Sequence, residues 1–196
     1  MPFLPSGCDK LGGVTPARLV FLPLIAALVL VAAGCGKSSK PETATEWANS
    51  FCSSVTTWKE SITSAVSPLK SGNITKDSVN TAFNDFKSAT DTFVKSVKDL
   101  GKPPTQAGDQ AKSDIDQLST EIDNSVKSIQ NDVGNVSSIS SALAVVPSVT
   151  ATLSSMQTAV TTTYNSLKQI DASGKLTSAF ANASSCKSLA SSASSG

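Results

Sequence analysis

The side chains able to do chemistry are few and poorly placed to cooperate. An imidazole-assisted serine or cysteine nucleophile is excluded, because the chain contains no histidine. Zinc wants histidine or clustered cysteines, whereas Cys8, Cys35, Cys52 and Cys186 are scattered. A Ser-x-x-Lys spacing occurs at Ser184-Ser-Cys-Lys187, but a chain this rich in serine produces that spacing by chance. Asp114 and Asp116, the nearest thing to a carboxylate pair, point to different sides of a helix and read as surface. No glycine-rich phosphate loop is present. The residues therefore describe a protein that is not an enzyme and has no metal site and no cofactor.

Charge narrows the partners. The chain has 16 Lys+Arg against 15 Asp+Glu. Setting aside Lys10, Arg18 and Asp9, which precede Cys35, leaves 14 lysines and 14 acidic residues. The part after Cys35 is thus formally neutral and has no arginine, the residue that clamps phosphate bidentately. Nucleic acid is an unfavoured partner, since binding it needs a basic footprint.

The elements that position everything else begin at the N-terminus. Lys10 and Arg18 precede an uncharged run from Leu19 to Gly34, which ends Ala32-Ala33-Gly34-Cys35. At sixteen residues the run is short for a permanent span, which takes about twenty, and suits a cleavable signal. The ending resembles the lipobox of bacterial lipoproteins, with Ala32 where that family prefers leucine and Ala33 and Gly34 in the small positions. That resemblance, which covers only the signal, implies that residues 1–34 are removed, that Cys35 is lipidated, and that the protein is an extracytoplasmic, membrane-anchored lipoprotein of a bacterial cell envelope. Acyl chains contribute about 0.8 kcal/mol per buried methylene, and stable anchoring takes more than one chain. Residues 36–42 then form a polar tether, and residues 35–42 together make the lipidated end.

If Cys8 leaves with the signal and Cys35 carries lipid, one pair remains in a disulfide-permissive compartment. A Cys52–Cys186 bridge is expected, with free buried thiols as the other outcome. Closing so long a loop stabilises by roughly 5 kcal/mol in the chain-entropy view.

After the tether the pattern is helical. Thr43-Ala-Thr-Glu46 has capping-box spacing, and Trp47, Phe51, Val55, Trp58, Ile62, Ala65 and Leu69 make one apolar stripe, ending at Pro68 and Ser71-Gly-Asn73. Thr75 caps a second helix striped by Val79, Phe83, Phe86, Thr90, Phe93, Val97 and Leu100, with three phenylalanines toward the core and Asp91 placed to pair with Lys95. Gly101 and Pro103-Pro104 stop it. A third segment, Thr105 to about Ala144, carries its stripe through Val133, Val136, Ile139 and Leu143. Forty helical residues reach about 60 Å, against about 35 to 40 Å for the first two helices, so a kink or break is expected around Asn131–Asn135. Val145-Val146-Pro147-Ser148 is read as the junction to a fourth helix, striped by Val149, Leu153, Met156, Val160, Thr163, Leu167 and Ile170. A short fifth helix carries Leu176, Phe180, Ala183 and Cys186, and a disordered tail starts at Ser191.

The fold expected is all-α: an antiparallel up-down-up-down four-helix bundle over residues 43–190 with a short C-terminal fifth helix. The Cys35 end faces the membrane, and the turn at Leu69–Thr75 and the junction at Ala142–Ser148 point away from it. The leading function is a non-catalytic interaction or scaffolding component, with Val145 and Val146 facing an envelope partner. The alternative is a small-molecule or lipid-binding module, with the ligand between helices against Trp47, Trp58, Phe83, Phe86 and Phe93. The oligomeric state is not legible.

Overall fold

Apolar residues returning every three or four positions can all be buried only if the chain coils as helix and the stripes face one another. The structure, a computed structural model, describes residues 43–72 and 74–193, with side chains through Leu189. The chain divides into two units, Met1–Lys37 and Ser38–Gly196; the lipobox, Cys35 and the tether lie outside the described residues. Six helices follow: α1 Ala44–Lys70, α2 Lys76–Asp99, α3 Gly108–Gly134, α4 Ile139–Gln169, α5 Lys175–Asn182 and α6 Ser184–Ala193. Among the described residues there is no strand.

α1 starts where its capping box requires. The Glu46 amide donates to Thr43 Oγ1 at 3.1 Å and the Thr43 amide to Glu46 Oε2 at 3.0 Å. Its stripe is buried from Trp47 to Ala65, with Leu69 packed at the margin. Pro68 lies inside the last turn, not beyond it. α2 begins at the Thr75 cap as its sequence requires. Two of its details differ from expectation. Phe83 is only half-buried while Phe86 and Phe93 are fully covered, and Asp91 pairs with Lys87, leaving Lys95 to pair with Asp99. Gly101, at φ +63°, turns the chain in the left-handed region that side chains disfavour. Gly108 then brings α3 so close to the Pro103 carbonyl that a Cβ would collide with it.

The break in the long third segment spans residues 135–138, directly after Gly134, but the fourth helix starts ten residues earlier than expected. Ser138 caps it: the Ser141 amide donates to Ser138 Oγ and the Ser138 amide to Ser141 Oγ, at 3.2 and 2.9 Å. α4 then runs straight through Val145-Val146-Pro147-Ser148, so that stretch is not a junction. An interior proline costs about 3 kcal/mol. The stripe of Ala142, Val149, Leu153, Met156 and Val160 continues across it and packs on the core, which offsets that cost. The early restart also rotates the face: Ala142 is fully buried, and Ile139 and Leu143, expected in the core, are exposed.

Two hydrogen bonds set the register of α3 against α4, from Ser148 Oγ to Asp132 Oδ2 at 2.6 Å and from Ser166 Oγ to Asp114 Oδ2 at 2.8 Å. Equal steps up one helix and down the other separate the two bonds, so the pair is antiparallel. The same holds for α1 and α2, through Trp47 Nε1 to the Gly101 carbonyl at 3.0 Å and Trp58 Nε1 to Thr90 Oγ1 at 3.1 Å. α2 packs on α3, while α5 packs on both α1 and α4 and α6 packs on α1. α1 and α4 lack the close backbone approach of the other neighbours; at one end of the molecule, Phe180 of α5 fills the space between them.

The expected single fifth helix is two. Ala183, extended at φ −67° and ψ 124°, separates α5 from α6, and Cys186 rides on α6. α6 continues to Ala193, past the position where an unstructured tail was expected to start.

Candidate functional site

The cysteines that sequence reasoning paired are bonded: Cys52 and Cys186 form a disulfide with a Cα–Cα distance of 5.0 Å. Around it the chain is tied down. Asn49 Oδ1 accepts from the Ser184 hydroxyl and the Ser185 amide, both at 3.0 Å. The Ser184-Ser-Cys-Lys187 stretch therefore fastens α6 to α1, with its cysteine consumed in the bridge. Asp171, buried at the start of the α4–α5 turn, accepts from Ser173 Oγ at 2.6 Å, the Ser173 amide at 3.0 Å and the Leu176 amide at 3.0 Å. The Ser173 hydroxyl, helped by those two amides and by Lys175, holds its carboxyl below the ordinary value of 3.8 against the opposing effect of burial. This carboxylate does the capping that Gly174, with no side chain, cannot do for α5.

The five aromatic residues proposed to line a ligand pocket do not converge. Trp47 stacks on Phe51 with centroids 5.9 Å apart, and Phe180 meets Trp47, Phe51 and Tyr164 edge-on. Trp58 stacks on Phe93 at 5.0 Å farther along α1, and Phe83 with Phe86 forms a third group. The rings are strung along the helices and packed against one another, with both indole N–H groups satisfied inside the protein. Beside them run surface grooves. One of about 240 Å³ lies between α1 and α4, against Val55, Trp58, Val160, Tyr164 and Leu189. Another, of about 640 Å³, lies between α1 and α2 and is lined mainly by serine and threonine.

Val145 and Val146 sit in the second turn of α4. Val145 is half-buried and Val146 is 44% exposed. The exposed large hydrophobics of the described chain are Ile139 at 60%, Leu143 at 53% and Val146 at 44%. Spaced four and three residues apart, they share one helix face. Sequence reasoning singled out Val145 and Val146 as part of a helix junction and missed Ile139 and Leu143, because it carried the α3 stripe across the break. The Ser138-x-x-Ser141 cap was the signal that would have found them.

Asp114 and Asp116 do point apart, Asp114 toward Ser166 of α4 and Asp116 toward Lys112. Among the described residues no three acidic or sulfur side chains come together in a metal-binding group. The chain matches no protein family, no curated protein and no solved structure.

Proposed function

We propose that this protein is a lipid-anchored, extracytoplasmic, non-catalytic interaction or scaffolding component of a bacterial cell envelope. Its helical part is an antiparallel up-down-up-down bundle in which α5 and α6 complete the α1/α4 side. The observation that carries the interaction reading is the cluster of Ile139, Leu143 and Val146 on one exposed face. Large apolar side chains gathered on a surface, with none elsewhere on the described chain, mark a contact site more often than scattered ones do. Filled aromatic packing in the interior agrees with a scaffold. The anchoring half rests on Ala32-Ala33-Gly34-Cys35.

Feeding cells an alkyne-tagged fatty acid tests the anchor. The native chain should take the tag, and Cys35→Ala should lose it and leave the membrane fraction; an untagged native chain removes the anchoring reading. A second reading, a small-molecule or lipid-binding module, draws on the groove between α1 and α4. Trp58 forms part of its wall, so a bound acyl ligand should shift tryptophan emission in the native chain and not in Trp58→Phe.

A further inference from the structure

From Val133 to Leu167 the chain carries no charged residue. α4 is long and apolar enough, by length and composition, to cross a membrane, yet only 11% of its most apolar window is buried. One side of it carries Ile139, Leu143, Val146, Thr150, Ser154, Gln157 and Thr161, all exposed, with Gln157 and Thr161 at the rim of the groove between α1 and α4. The far end of this strip is apolar, and the rest carries hydroxyls and one amide. We propose that a second copy of this chain covers it, the two α4 helices lying side by side in parallel with Ile139, Leu143 and Val146 each against its own counterpart.

Three features favour a second copy over other occupants. When the two-fold axis runs along two parallel helices, the residues of the seam lie close to their own images, so a charged residue there repels itself. α4 has none, whereas α2 and α3 expose Lys87, Asp91, Lys95, Lys112 and Asp116. Hydroxyls and amides, which both donate and accept, can bond to their own images. A lipid surface fits poorly, since helices that lie on bilayers carry lysine or arginine on the polar face, and this helix has no cation before Lys168. The parallel arrangement follows from length. In parallel the strip pairs along about 35 Å, while an antiparallel pair centred on Leu143 runs off the helix start after one turn. A strip about one helix wide falls short of the ~800 Å² per partner of a standard interface. Pairing is therefore weak in dilute solution and gains from any arrangement that concentrates the chains.

The pairing rests on the exposed α4 face being the interaction surface, not on the anchor. It is tested with the full chain in the cells that produce it, carrying Ile139→Cys or Val146→Cys and treated with a short bis-maleimide. Each single variant should give a product of twice the chain mass, Ser88→Cys on α2 should not, and adding Leu143→Lys should abolish both products. Retention of the Cys52–Cys186 bridge on non-reducing gels confirms that the variants are folded. No product at either position overturns the proposal. So does a product seen only when the two variants are mixed, which means antiparallel pairing, or one whose mass fits a different protein. Acyl labelling read on the same samples separates the two ideas: label without crosslink removes the pairing and leaves the anchor, and crosslink without label does the reverse.

Discussion

The two ends of the helices are built on opposite terms. At the end where α1 begins, the Cys52–Cys186 bridge, the Asn49 bonds to α6, the indole of Trp47 on the Gly101 carbonyl and the edge-on ring of Phe180 all join separate helices. At the other end α2 starts at the Thr75 cap and α4, after the break at 135–138, at the Ser138 cap, both of them local, and the Ser148–Asp132 bond is a contact between side chains. Exposed Ile139, Leu143 and Val146 lie there. The cross-linked end holds the fold, which leaves the other free to display apolar surface at little cost to stability.

That contrast can be broken by measurement. Replacing Cys52 and Cys186 together with serine should cost about 5 kcal/mol, read as a lower urea midpoint. Phe180→Ala, which removes a ring held by three aromatic neighbours, should cost about 4 kcal/mol; a loss as small as that of a surface change would show that α5 does not hold this end together. Ser138→Ala takes away the cap that starts α4 and should cost about 1 kcal/mol, with the first turns of α4 showing faster amide exchange.

Asp171→Asn has a smaller effect confined by pH. The folded carboxyl titrates below its ordinary value of 3.8, so the stability it supplies is present above that value and is lost as pH falls through the lower, folded one. The variant should be less stable than the native chain at neutral pH, and the difference should close in acid; thermal melts across pH 2 to 7, roughly the range over which carboxylates titrate, check this. Leu143→Ser should change stability by less than about 0.5 kcal/mol. A large loss there would mean that the exposed face is part of the fold after all.

Much of the architecture was legible because it is written locally. Thr43 with Glu46 and Thr75 with Ser78 stop the chain from being helical one residue earlier, and the stripe of α1 needs no knowledge of its partner. The cysteine pairing followed from elimination. The rest hung on competition between local and distant terms. Pro147 announces a helix end, and only the packing of Ala142, Val149 and Met156 against the core lets α4 ignore it. The ligand-lining set could not be resolved from the pattern for a related reason: aromatic residues on two stripes say that a core exists, not whether rings surround a space or fill it.

Sequence alone determined that the part after Cys35 is neutral and free of histidine, that helices follow from Ala44 on, and which residues can start each helix, since composition and capping are properties of neighbours in the chain. Tertiary structure decided which side of α4 faces inward. A four-residue break resets helical phase by an amount that no periodicity carries across it, and that phase moves Ile139 and Leu143 from the core to the surface.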